Sequence, residues 1–297
     1  MKLLCGRILV LAVALGIFQD RHLGAATITN GSLAVMISDS SGAIDSVTFG
    51  GTEYFRAGTF VSDFGFQNGT DVGTFVFNSP QYGAGQSVVV TGTTVTGNYL
   101  GGGANIAFER TYSLVDGLNV LRISSQLSNQ GVAATTISYF DAFDPDQGEF
   151  LGFGFATYND VFGLAGATVA EATATSDHTV VMGSKDPRIT VSSGFFFDIT
   201  YGSALNYFFD APFDPNGALD DLGTQLGLRV LLAPGQTTSV TYDLAFGLNS
   251  AEARAAFAAA QVPEPASLAI FAMGSALYGI GRRRRSASQL PGMSGDI

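Results

Sequence analysis

Cysteine is almost missing from this chain of 297 residues: Cys5 stands alone, and tryptophan is absent. A single thiol excludes an internal disulfide framework and any multi-cysteine metal or redox centre. Charge is sparse as well. Asp, Glu, Lys and Arg together make 13% of the chain against 46% apolar residues, which excludes a disordered polypeptide. Basic side chains are the scarcer sign, since residues 26–262 hold 22 acidic and 7 basic groups, a net charge of −15. Such a surface repels nucleic acid and suits divalent cations, cationic partners or plain solubility. The sequence contains no Gly-x-Ser-x-Gly elbow, no His-Glu-x-x-His pair and no phosphate-binding glycine loop.

Glycine, by contrast, is abundant: 38 residues without a triplet period read as many tight turns in a β protein. The two ends differ from the middle. Lys2 and Arg7 precede the apolar run Ile8 to Phe18, and the small residues Gly24-Ala25-Ala26 follow, the three regions of a secretory signal peptide over 1–26. Its rival is a buried N-terminal helix. Cleavage would remove Cys5 and leave a thiol-free exported chain; a lipoprotein is disfavoured because Cys5 precedes the apolar run instead of following it. A leader of this kind implies passage through the Sec export machinery.

At the other end Val262-Pro263-Glu264-Pro265 is followed by sixteen residues without charge, 266–281, and then by Arg282, Arg283, Arg284 and Arg285. Sixteen helical residues span ~24 Å, a minimal crossing of a ~30 Å hydrocarbon layer. The arginines hold their end in the cytoplasm, so the globule lies outside. This order of proline break, apolar helix and basic stop over 262–285 closely resembles the PEP-CTERM sorting signal of Gram-negative bacteria. The resemblance implies recognition by an exosortase, an integral membrane protease of transpeptidase type found in bacteria that make exopolysaccharide. It also implies transient anchoring in the inner membrane, followed by release to the cell surface or beyond. The twelve residues 286–297 extend past the arginines, where the family usually ends. A plain single-span anchor is the competing reading.

Between the ends, 27–250 reads as an exported domain of strands. Leu226, Leu228, Val230 and Leu232, then Val240, Tyr242, Leu244 and Phe246, alternate with their neighbours, joined by the turn Ala233-Pro234-Gly235-Gln236. Ile106 to Val115 and Leu118 to Leu127 flank Asp116-Gly117, which predicts a two-residue hairpin with positive φ at both central positions. Further strands are expected at Leu33 to Ser38, Ile44 to Phe49, Phe60 to Phe66, Thr74 to Asn78, Ser87 to Thr96, Thr135 to Phe140 and Phe195 to Tyr201. The fold class is therefore all-β: a large antiparallel β-sandwich of two sheets with one short C-terminal helix, Ser250 to Gln261. Asn249 is its expected N-cap and Glu252 stands in the capping-box position; residues 251–261 lead into the sorting signal.

The opening Thr29-Asn30-Gly31-Ser32-Leu33-Ala34-Val35, Gly42-Ala43-Ile44-Asp45-Ser46-Val47 and Gly51-Thr52-Glu53-Tyr54 resembles the start of galactose-mutarotase-like supersandwich domains. Arg110-Thr111-Tyr112 and Ser128-Asn129-Gln130-Gly131 are similar too. An immunoglobulin-like or jelly-roll sandwich is the alternative. Epimerases of the mutarotase type use histidines with an acidic base, and outside the leader only His178 remains, which reads as a turn or surface residue.

Two segments nearly repeat: Tyr139-Phe140-Asp141-Ala142-Phe143-Asp144-Pro145-Asp146-Gln147-Gly148 and Phe208-Phe209-Asp210-Ala211-Pro212-Phe213-Asp214-Pro215-Asn216-Gly217. Asp141, Asp144, Asp146 and Glu149, with Asp210, Asp214, Asp220 and Asp221, are candidate oxygen ligands for calcium. The alternative is turn chemistry, with aspartates bonding their own backbone. Arg110 shares a strand face with Ile106, Phe108, Tyr112 and Leu114, so it is either paired inside the sandwich or lines a concave surface. These features point to a non-enzymatic, exported surface or extracellular-matrix protein associated with exopolysaccharide, with no other cofactor. The alternative is a carbohydrate-active enzyme, a carboxylate glycosidase or epimerase on the same fold.

Overall fold

The computed structural model describes residues 26–54, 62–68, 72–77, 88–194 and 208–262. The expected leader up to Ala25, the strand candidate Phe195 to Tyr201, the Pro263-Glu264-Pro265 break, the apolar helix 266–281, Arg282 to Arg285 and the tail 286–297 lie outside the described residues. Among the described residues no helix is long and apolar enough to cross a membrane.

Strands form three antiparallel sheets where two were expected. The smallest runs β1 (Ala26–Asn30), β2 (Leu33–Ile37), β3 (Ile44–Phe49), β4 (Thr52–Glu53). The largest has the order β16 (Ala218–Asp220), β12 (Thr157–Leu164), β13 (Ala167–Ala174), β14 (Thr179–Ser184), β18 (Thr237–Gly247), β10 (Val120–Asn129), β9 (Ile106–Leu114), β8 (Thr94–Tyr99), β7 (Val88–Thr91). The third has the order β15 (Ile189–Ser193), β17 (Thr224–Leu232), β11 (Thr135–Phe143), β5 (Ser62–Asn68), β6 (Val72–Phe77). The five-stranded sheet packs on the inner face of the nine-stranded one. The small sheet closes one end: Gly42 lies against Val95, the Tyr112 hydroxyl donates to the Gly42 carbonyl at 2.7 Å, and the Tyr54 hydroxyl donates to Gly247 at 2.8 Å.

Two local expectations are corrected. The β9–β10 connection spans Val115 to Asn119; Leu118 N–H bonds the Val115 carbonyl, and of the Asp-Gly pair only Gly117 has positive φ, +69°. A turn with left-handed backbone at its third residue alone does not need the double inversion of a two-residue hairpin. Two-residue hairpins occur elsewhere, with positive φ at both central positions for Gly50-Gly51 and Ala165-Gly166; one inside the stretch Ser87 to Thr96, where Thr91 pairs with Thr94 around Gly92 at φ +59°, splits the expected strand into β7 and β8.

The inner faces follow the period-2 pattern: Ile106, Phe108 and Tyr112 of β9, Tyr242, Leu244 and Phe246 of β18, and Ile137, Tyr139 and Phe143 of β11 are all buried in one cluster. Arg110 lies among them. Its guanidinium, with a side chain 1% exposed, pairs with Asp141 of the opposite sheet at 2.5 Å. It donates to the hydroxyls of Tyr112 (2.6 Å), Tyr242 (2.6 Å) and Tyr139, and the Tyr242 hydroxyl in turn donates to Asp141. The Phe64 ring lies 4.4 Å from the guanidinium carbon. Of the two readings of Arg110, pairing inside the sandwich is therefore the observed one.

Among the described residues the one long helix, α1 (Ser250–Ala260), covers part of the outer face of the nine-stranded sheet. Ala253, Ala256, Phe257 and Ala260 pack on Val120, Val169, Val181 and Ala245. Asn249 caps it, accepting from Glu252 N–H at 2.9 Å, while Glu252 reaches back to Leu248 N–H at 2.9 Å and not to Asn249. Its N-terminal half is tied down by Arg254, whose Nε and Nη2 meet the Glu171 carboxylate at 2.6 and 2.7 Å. Its end is tied by Arg122, which makes a two-pronged pair with Asp243 (2.8 and 2.9 Å) and donates to the Ala260 carbonyl at 2.9 Å. Lys185 donates to the Gln261 carbonyl at 2.7 Å, and the Gln261 amide to Asp243 at 2.6 Å.

Removing one partner of a buried ion pair strands the other charge. Arg110→Ala is expected to cost about 3–5 kcal/mol in urea melts, and Arg110→Met combined with Asp141→Leu to recover most of that loss. A cost near zero for Arg110→Ala would show that the pair does not constrain the core.

Candidate functional site

The near-repeat acids do not act as one group. Asp141 is excluded as a calcium ligand, because strand alternation turns it into the core and the Arg110 pair occupies it; burial raises its carboxyl above the ordinary range and Arg110 opposes that shift. Asp214 serves its turn: it accepts from Asn216 N–H at 2.9 Å and from Val161 N–H at 3.2 Å, with Asn216 and Gly217 both at positive φ. Asp210 is exposed and faces Arg229 at 3.6 Å. For these two the turn-and-surface reading holds.

Asp144 and Asp146, past the end of β11, behave differently. Each brings one carboxylate oxygen within 4.8 Å of the others and of Asp221, which follows β16. Asp146 is buried and its N–H bonds the Tyr54 carbonyl at 2.9 Å, so the cluster sits where the small sheet meets the sandwich. Glu149 opens a short 3-10 turn, Glu149–Leu151, and is not a member. Three monodentate oxygens fall short of the six to eight that calcium takes, so a bound ion would also need carbonyls or water. Burial and the neighbouring Asp220 raise the Asp221 carboxyl above its ordinary value. His178 is half-buried in a turn, with Nδ1 3.2 Å from the Ser176 carbonyl and its ring 6.0 Å from Tyr54.

A second surface was not legible as a unit in the sequence. Beyond α1, the outer face of the nine-stranded sheet carries rows of small polar side chains set side by side by the register. Thr94, Thr111, Ser124 and Thr241 form one row; Thr96, Glu109, Gln126 and Ser239 the next; Asn98, Ala107, Ser128 and Thr237 the third. Hydroxyls meet across strands, as Ser124 with Thr241 at 3.0 Å and Thr237 with Ser128 at 3.1 Å. Glu109 is the only formal charge in these rows. A recess of about 460 Å³ opens over Val89, Asn98, Glu109 and Gln126, and another of about 330 Å³ over Arg122, Lys185, Asp243 and Gln261. The signal for this face is the complement of the core pattern, read jointly over four strands.

Residues 261–285 match the PEP-CTERM protein-sorting motif, a stretch that contains Pro263, Glu264, Pro265 and Arg282 to Arg285. No curated protein is similar to this chain in sequence. Among solved structures it is similar to a galactose mutarotase-like protein from Lactobacillus casei, at 12% identity and TM-score 0.44, over 75% of this chain and 100% of that one. A galactose mutarotase-like protein from Clostridium acetobutylicum is similar at 11% identity and TM-score 0.42, over 74% and 94%. A bacterial glucoamylase complexed with acarbose is similar at 13% identity and TM-score 0.46, over 79% of this chain and 33% of that one.

The acidic cluster gives two expectations. A carboxyl raised in the fold favours the protonated folded state, so with chelator present its contribution to stability is lost as pH rises from the ordinary value of 3.8 through the raised one; Asp221→Asn is expected to flatten that limb of a melting-against-pH curve. Calcium is expected to raise the melting midpoint of the parent and not of the Asp144→Asn, Asp146→Asn double variant. Equal shifts, or none, would reduce the cluster to turn chemistry.

Proposed function

We propose that this chain is an exported protein processed by an exosortase, and that its β-sandwich serves at the cell surface or in the extracellular matrix by contacting exopolysaccharide without turning it over. The observation that carries the reading is the sorting motif at 261–285, which begins at the residue directly after α1. Export through the Sec machinery and transient residence in the inner membrane belong to the same reading, which joins that motif to the leader expected over 1–26.

Contact with polysaccharide rests on the outer face of the nine-stranded sheet. Ser, Thr, Asn and Gln side chains match sugar hydroxyls as donors and acceptors, and the short Ser and Thr lose little freedom when they bind. An almost uncharged face on a domain of net charge −15 also offers a neutral glycan a surface it can meet without displacing charged, strongly hydrated groups. Calcium at Asp144, Asp146 and Asp221 would be structural in this reading.

The alternative, a carbohydrate-active enzyme, is favoured by one observation: Asp144, Asp146 and Asp221 bring carboxylate oxygens within 4.8 Å of one another, and glycoside hydrolysis is carried out by paired carboxylates. Glycan arrays probed with the full chain, followed by turnover assays on each bound sugar, separate the two. Binding without turnover is expected, and it should weaken at least about tenfold in a Thr96→Val, Gln126→Leu, Ser239→Ala variant, a loss worth about 1.4 kcal/mol. Turnover abolished by Asp221→Asn would establish the enzyme instead.

A further inference from the structure

The helix that ends the sandwich has no cation of its own in its last turn, although its final carbonyls concentrate partial negative charge. The sheet supplies two. Arg122 from β10 takes the Ala260 carbonyl and Lys185, just past β14, takes the Gln261 carbonyl, while Asp243 of β18 holds both Arg122 and the Gln261 amide. Three strands thus converge on the last two residues before Val262. Gln261 is also the first residue of the matched sorting motif, so that motif begins inside the fold.

We propose that Arg122, Lys185 and Asp243 are positioning residues for processing of this chain: by clamping the end of α1 they control how readily the approach to the Pro263-Glu264-Pro265 segment is released to the processing enzyme. The inference rests on the sorting reading above. A protease takes its substrate as an extended strand with residues on both sides of the scissile bond. Only Val262 separates Gln261 from Pro263, and two residue steps reach at most about 7 Å even when fully extended. An enzyme that needs extended chain before the proline break must therefore draw on the last turn of α1, whose carbonyls the clamp holds. Unclamped, a last turn built from Ala258, Ala259 and Ala260 frays at little cost. The folded domain in this way opposes its own processing, and the clamp sets by how much.

The test follows processing of the full chain by pulse-chase in cells that carry the enzyme. Lys185→Ala and Arg122→Lys, which keeps a charge beside Asp243 but cannot form the two-pronged pair, are expected to speed processing about three- to tenfold when combined. Lys185→Arg and Arg188→Ala, the latter a neighbouring cation that does not touch α1, are expected to keep the parent rate. Arg254→Ala loosens the other half of α1 and separates general helix destabilisation from the clamp; an equal acceleration there would overturn the proposal. An unchanged or slower rate in the combined variant would overturn it as well. Pro263→Ala in the otherwise parental chain is the control on the underlying reading, because undiminished processing there removes the sorting reading and this inference with it, whereas blocked processing with an inert clamp removes the inference alone.

Discussion

A guanidinium and a carboxylate meet across the space between two sheets, and the rest of the sandwich is arranged around that contact. Neither Arg110 nor Asp141 can be left alone in a core of Phe64, Phe66, Tyr139 and Tyr242, so the two sheets must stack in the one register that brings them together. The tyrosine hydroxyls complete the requirement. Tyr112 and Tyr242 come from the nine-stranded sheet and Tyr139 from the five-stranded one, so satisfying the guanidinium also fixes ring positions on both sides. Tyr112 passes the constraint to the small sheet through the Gly42 carbonyl, where a side chain on Gly42, at φ +71°, would run into Val95. A sandwich of apolar faces alone could slide by one residue pair; this one cannot without stranding a buried charge.

β9 and β10 could be read in advance because one face lies in this core and the other is more open, so their burial alternates. β17 and β18 keep a period-2 sequence pattern although Thr224 to Leu228 and Tyr242 to Gly247 are buried on both faces. β12 to β15 escaped the same reading for a physical reason. β13 is buried on both faces, with Ala170 against the core and Val169 under α1, and its alanines leave room for the helix while obscuring the alternation. Gly183 in β14 has the Thr168 carbonyl 2.5 Å from where a side chain would begin, so close strand contact excludes the β-branched residues that mark strands elsewhere. The β7–β8 turn was hidden in a run of valine and threonine interrupted only by Gly92.

The acidic segments show where sequence proximity misleads. Asp141, Asp144 and Asp146 look like one cluster along the chain, yet the first lies in a strand and the others past its end. Alternation through Ile137, Tyr139, Asp141 and Phe143 already points Asp141 to the face that Arg110 occupies on β9, so their pairing was available from two strands read together. Asp221 was not available in that way. It reaches Asp144 and Asp146 only because β16 pairs with β12 as the edge strand of the large sheet, a three-residue contact with no pattern of its own.

Scarcity of basic residues shapes the surface as much as the core. Among the described residues every Lys and Arg is engaged: Arg110 with Asp141, Arg122 with Asp243, Arg188 with Asp186, Arg229 with Asp210, Arg254 with Glu171, and Lys185 with the end of α1. Four of these six cations join elements, Arg110 sheet to sheet and Arg122, Lys185 and Arg254 helix to sheet, and apart from the buried Asp146 most of the excess acid is left partly or fully open to solvent. A polyanionic glycan would be repelled by that excess over most of the domain. The hydroxyl and amide rows of the large sheet are the part of the surface from which this repulsion is nearly absent, since they carry Glu109 alone. In the function proposed above, that composition suits uncharged sugar faces, and a charged polymer would have to approach with divalent cations between it and the protein.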